Sequence, residues 1–136
     1  MKRKDATYTF DEFYEDLNRA YKLAQSKSNF KTQAETMAYA VNTPSSRFWV
    51  SAERLCEVIH KIECGKHVSK TPLRKEMYEE LYRRYLQYRN DPACKDYTKT
   101  DICYTIIYSQ APKFYITPTW AMLQFYKGRR MAKNEK

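Results

Sequence analysis

One short phrase occurs twice in this chain, and the repetition constrains the fold more than any other feature. Arg47-Phe48-Trp49-Val50-Ser51 returns as Lys113-Phe114-Tyr115-Ile116-Thr117, 66 positions later, each position identical or conservatively replaced. The match runs backward without a gap, since Thr32 and Glu35 lie over Thr98 and Asp101. Further upstream Glu12–Tyr21 lies over Glu76–Tyr85 at an offset of 64, with six of ten residues identical. The change of offset needs only a connector differing by two residues, and connectors tolerate such changes. An internal duplication over about residues 8–66 and 72–130 follows from the alignment. At 136 residues the chain is then one domain built of two small repeats, because a unit of roughly 60 residues buries too little surface to be stable alone.

The punctuation between apolar stretches is helical. Thr9 with Glu12 reads as a capping box opening a helix whose apolar residues (10, 13, 14, 17, 20, 21 and 24) keep helical spacing to about Leu23. Ser26 to Asn29 are expected to break it. Thr32 and Glu35 open a second helix, ended by Asn42-Thr43-Pro44, since the residue before a proline is pushed out of the helical region. Ser51 caps a third helix, stapled by Val50 onto Leu55 and stopped at Gly65. In the second half Thr71-Pro72 opens a long helix that stops at Asn90-Asp91-Pro92. Thr98 or Thr100 opens the next, and Thr117-Pro118 opens the last. The β-branched run Thr105-Ile106-Ile107 makes a strand the competing reading there. Its counterpart in the first half (Ala34, Ala38, Ala40) has strong helix propensity, so helix is expected. The expected fold is all-α: five to six helices, as two pseudo-repeated three-helix units packed into one domain, with a basic arm over 1–8 and a basic tail over 127–136.

Composition narrows the function. Two glycines in the whole chain leave no Gly-rich phosphate loop and no dinucleotide fingerprint. Lysine and arginine number 25 against 16 acidic residues, a net charge of +9 that favours polyanionic partners. The excess concentrates in Lys2-Arg3-Lys4 and in Lys127, Arg129, Arg130 and Lys133. The charged start carries no apolar signal segment and no stretch reaches the length of a membrane span, so no membrane partner is expected. The expected location is the cytoplasm of a bacterial host cell, or a virion. The four cysteines form no CxxC pair and are expected to be reduced.

Each candidate site has a structural reading beside it. Arg47 and Lys113 stand next to paired aromatics, Phe48-Trp49 and Phe114-Tyr115, a combination that suits phosphate contact and base stacking. Alternation along an extended segment instead sends one ring of each pair into the core and leaves the other partly exposed. Each short helix, turn and capped helix has the outline of a helix-turn-helix, yet the connector from Asn42 to Val50 is long. The first turns of the third helices also carry little that reads base edges, so sequence-specific recognition is not expected. Cys56, His60, Cys64 and His67 match no zinc pattern, and eight helical residues rise about 12 Å, too far for Cys56 and Cys64 to share an ion. No cofactor is expected. The acidic residues near the starts of the two long helices complement helix dipoles, and no nucleophile–base constellation exists, so an enzyme is not expected.

The phrase at Arg47–Ser51, the segment Ala111-Pro112-Lys113-Phe114-Tyr115-Ile116-Thr117-Pro118, and the Glu-Met-Tyr-Glu-Glu-Leu-Tyr-Arg-Arg helix between them resemble small proteins of phage-like and mobile elements of gut Bacteroidetes, over about residues 45–125. That resemblance carries no activity. It implies either an accessory DNA-binding protein or a small component of a phage particle or its assembly. With the charge, it makes nucleic acid (DNA ahead of RNA) the expected partner, held by Arg47, Trp49, Lys113, Tyr115, Lys127, Arg129, Arg130 and Lys133. Phage or self-assembly protein partners are the alternative.

Overall fold

The computed structural model describes residues 8–27 and 29–134. The basic arm expected at the amino terminus, with Lys2, Arg3 and Lys4, lies outside the described residues apart from Tyr8. Among the described residues there are six α-helices and no strand: α1 (Phe10–Lys27), α2 (Gln33–Ala40), α3 (Ala52–Glu63), α4 (Pro72–Arg89), α5 (Lys99–Ile107) and α6 (Pro118–Asn134). None of them is long and apolar enough to cross a membrane.

Local chemistry explains where the helices begin. The hydroxyls of Thr9, Thr32 and Ser51 accept from the backbone N–H groups of Glu12, Glu35 and Arg54, satisfying donors that a first turn leaves orphaned. Thr98 and Asp101 form a reciprocal capping box. Pro72 sits in the first turn of α4, where its missing N–H costs nothing. After α3, Gly65 takes φ +70° and turns the chain away.

Two helix boundaries differ from the sequence reading, and one connector holds a short turn of its own. Helix α1 continues to Lys27, with the Ser26 hydroxyl donating back to Leu23 O, so the serine is absorbed in the last turn. Pro92–Cys94 form a 3-10 turn capped by Asp91. The expected basic tail is helical to Asn134, and Gly128 is a packing residue within it: a Cβ there would lie 2.1 Å from the Tyr14 ring. At α5 the strand alternative fails. Ile102, Cys103, Ile106 and Ile107 share one fully buried helical face.

The chain forms two compact units, and their boundaries are not those of the sequence repeats. One unit contains α1, α2 and α6. The other contains Tyr8 with α3, α4 and α5. Each therefore takes two helices from one half of the sequence and its last-joined helix from the other half, whereas the repeat pattern assigns α3 to the first half and α6 to the second. In the α1–α2–α6 unit the core is Phe13, Leu17, Ala20, Tyr21, Met37, Phe114, Ala121 and Phe125. In the α3–α4–α5 unit it is Phe48, Leu55, Val58, Ile59, Leu81, Tyr85 and the α5 face. There the thiols of Cys56 and Cys103 meet at 3.2 Å; burial, reinforced by Cys56, pushes the Cys103 thiol far up and keeps it protonated.

The turns explain the crossing. Phe48 N–H donates to Ile107 O at 3.0 Å, and Phe114 N–H donates to Val41 O at 2.9 Å. Donors and acceptors in the two bonds are each 66 residues apart, so both phrases are held the same way within their own units. Ser45 and Ala111 exchange both backbone hydrogen bonds in an isolated antiparallel bridge. The approach to each turn is fastened by an arginine–carboxylate pair. Asp16 is 6% exposed and accepts from Ser45 Oγ at 3.1 Å, Ser46 N–H at 3.0 Å and Arg19, whose guanidinium also reaches Pro44 O. In the other unit Glu80 pairs with Arg83 and Arg84, and Arg84 donates to Ser109 Oγ and Gln110 O, each at 2.9 Å.

Burial raises the Asp16 carboxyl, but the Ser46 N–H and Arg19 outweigh it and hold the group below the ordinary aspartate range. A depressed folded-state pKa gives stability that is present above the unfolded-state value and lost as pH falls through the folded one. Asp16→Asn is expected to lower the unfolding free energy by about 2 kcal/mol at pH 7, the scale of hydrogen bonds to a charged group. Urea titrations of both proteins should show the difference shrinking as pH falls below the ordinary aspartate value.

Candidate functional site

Arg47, expected at the surface, is buried. Its Nε donates to Phe48 O at 3.0 Å and its Nη2 to Val50 O at 3.1 Å. The guanidinium carbon lies 5.4, 5.0 and 4.6 Å from the ring centres of Tyr8, Trp49 and Tyr108. A delocalised, weakly hydrated guanidinium is suited to such an aromatic cage. Arg47 works as an internal brace for the turn, so the sequence expectation of a phosphate contact there is corrected.

The brace leaves Trp49 half-buried, with Tyr8 edge-on to it at 5.0 Å. Beside the tryptophan opens a hollow of about 310 Å³, walled by Tyr8, Trp49, Val50 and Ser51 with Arg54 of α3 and Arg74, Met77 and Tyr78 of α4. Arg54 and Arg74 supply the charge, and among the described residues no carboxylate lines the hollow. Arg54 is hydrogen-bonded to Tyr78, which strengthens its hold on the proton, and is paired with Glu57 at 3.1 Å. The Tyr8 phenol is pushed up by burial, a shift opposed by Arg47 and Arg74. Sequence reasoning found Trp49 and missed Arg54, Arg74 and Tyr78. Arg54 was legible as the N3 residue of a capped helix beside the phrase; nothing local marks Arg74 or Tyr78, which lie more than one helix away in the chain.

The second phrase is built differently. Tyr115 has φ +59°, the left-handed region that a side chain reaches at a cost of about 1–2 kcal/mol. That turn breaks the alternation of an extended segment, so Phe114 and Tyr115 are both buried. The expectation of an accessible Tyr115 is corrected for this reason. Lys113 is half-buried, its Nζ 5.5 Å from the Tyr115 ring centre.

On α6, Lys127, Arg129, Arg130 and Lys133 are exposed. Lys127 Nζ lies 4.6 Å from the Phe10 ring centre and the Arg129 guanidinium 5.5 Å from that of Phe125. Among the described residues the ion pairs use Arg19, Arg54, Arg83 and Arg84, and none uses an α6 cation. Helix α6 contains no acidic residue. Cations there complement the helix dipole, which accounts for their location at the carboxyl end; their accessibility is what allows contact with an anion.

Of the eight residues expected to bind nucleic acid, Trp49 and the four α6 cations are at least partly accessible, Lys113 is half covered, and Arg47 and Tyr115 are interior. Cys64 Sγ is 3.7 Å from His60 Nε2, and no group of three metal-ligating side chains occurs among the described residues. Comparison with protein-family models, curated proteins and solved structures returns no match.

Arg47→Ala strips two buried carbonyls of their donor and opens the aromatic cage. The expected loss is about 2–3 kcal/mol of unfolding free energy, read by chemical denaturation, with Trp49 emission shifting red in the folded protein.

Proposed function

We propose that this is a non-enzymatic nucleic-acid-binding protein that engages the phosphates of DNA through accessible cations. The observation that carries the reading is the carboxyl-terminal half of α6, where four exposed lysine and arginine side chains stand together without an acidic residue on the helix. Phosphate contact requires positive charge within reach and little else, and it holds a strand without reading its sequence. The Trp49 hollow, with Arg54 and Arg74, is a second place of the same chemistry. A phage or mobile-element origin enters this reading from the sequence resemblance alone.

One observation favours a different reading, a virion structural or assembly protein. Helix α6 also exposes Trp120, Leu123 and Met131, with Leu123 60% accessible. Apolar side chains of this size on a helix surface suit contact with another protein. Light scattering across concentration separates the two readings: a discrete large assembly, unaffected by DNA, would favour assembly over nucleic-acid binding.

Replacing Lys127, Arg129 and Arg130 together by Ala is expected to weaken duplex DNA binding. The logarithmic salt slope should become shallower by about two to three, near one per lost phosphate contact. Fluorescence anisotropy between low and physiological salt measures both; an unchanged affinity at low salt would remove α6 from the interface.

A further inference from the structure

In the α3–α4–α5 unit two thiols from different helices stand against each other. We propose that Cys56 and Cys103 form an oxidation site, at which a hydroperoxide converts two thiols to one cystine that fastens α3 to α5. The inference is independent of nucleic-acid binding.

The two sulfurs are 3.2 Å apart, although the residues are separated by 47 positions in the chain. A bond of about 2.05 Å needs them to approach by about 1.2 Å, a distance that small rotations of the two side chains cover. The helices are already tied close by: Phe48 N–H, just ahead of α3, donates to the carbonyl of Ile107, the last residue of α5. Access to the two thiols is unequal. Cys56 is half-buried, whereas Cys103 is fully buried. The remaining thiols are placed differently. Cys64 is exposed at the end of α3, 3.7 Å from His60 Nε2, and Cys94 lies in the 3-10 turn after α4. Among the described residues Cys56 and Cys103 are the one pair of thiols within hydrogen-bonding distance.

Unequal access orders the reaction. A thiolate is the nucleophile, and of the two sulfurs only that of Cys56 is open to a small oxidant. Having lost its proton to water, Cys56 Sγ attacks one oxygen of the hydroperoxide. An S–O bond forms and the O–O bond breaks; the other oxygen takes up a proton and leaves as water or an alcohol. Cys56 is then a sulfenic acid, which condenses with a neighbouring thiol. Cys103 Sγ attacks Cys56 Sγ: the S–S bond forms, the S–O bond breaks, and the proton that burial keeps on Cys103 departs with the hydroxyl as water. The two thiols lose two electrons in all, and the hydroperoxide takes both. At Cys64, with no second thiol beside it, the same oxidant drives the sulfur onward to sulfinic acid.

The test uses the full chain with Cys64→Ser and Cys94→Ser, which leaves the pair as its only thiols. After equimolar hydrogen peroxide under native conditions, both thiols should disappear together, with a mass lower by two hydrogens and the bond within one chain. Dithiothreitol should restore them. Because the bond closes a long loop, the unfolding midpoint of the oxidised protein should rise by about 10 °C. Adding Cys103→Ser should instead leave oxygen on Cys56, and adding Cys56→Ser should leave Cys103 an unreacted thiol until the protein is denatured. Oxygen on Cys56 with Cys103 still a free thiol in the two-cysteine chain, a bond only between chains, or a cystine that lowers the midpoint overturns the proposal. So does survival of both thiols under conditions that oxidise Cys64 in the wild-type chain. None of these outcomes touches the salt dependence of DNA binding by α6.

Discussion

The Phe48 N–H held by Ile107 O and the Phe114 N–H held by Val41 O are two single hydrogen bonds, yet the placement of α3 and α6 depends on them. Each bond fixes the turn just before a helix begins. Each also carries a fully or nearly fully buried phenylalanine into the core of the unit that the following helix joins. A backbone N–H buried away from water needs a partner, and a buried aromatic ring needs a matching space, so these two requirements together select one position for each turn. Asp16 and the Glu80–Arg84 pair then restrain the segments leading into the turns.

The same constraint decides which side chains are available for binding. Around Phe48 the turn buries Arg47, Phe48 and Val50, and Trp49 is left half-accessible beside a cationic hollow. Around Phe114 the left-handed Tyr115 abolishes alternation and draws both rings inward. Two phrases of matching sequence thus present different surfaces. Apart from the half-covered Lys113, the accessible cations named above lie outside the phrases: Arg54 and Arg74 in the α3–α4–α5 unit, and the exposed set on α6 in the other.

Much of the local architecture was legible in the sequence because it is set by local chemistry. The caps at Thr9, Thr32, Ser51 and Thr98, the proline opening α4, and the stop at Gly65 all involve residues within four positions of each other. The buried faces of α1 and α5 follow from spacing. What periodicity cannot state is which apolar face meets which, and so the assignment of α6 to α1 and α2 was hidden. The fate of Arg47 was hidden for the same reason, since its cage draws on Tyr8 and Tyr108, each dozens of residues away. Gly128 looked like the start of a tail; only the proximity of the Tyr14 ring explains a glycine inside a continuing helix.

The most direct measurement of this account is the set of nuclear Overhauser contacts made by the Phe125 ring. If α6 joins α1 and α2, Phe125 protons should show contacts to the rings of Tyr14 and Tyr21. Contacts instead to Tyr78 and Tyr85, the residues aligned with those two in the second half of the sequence, would mean that α6 packs with α4 and α5 and would contradict it.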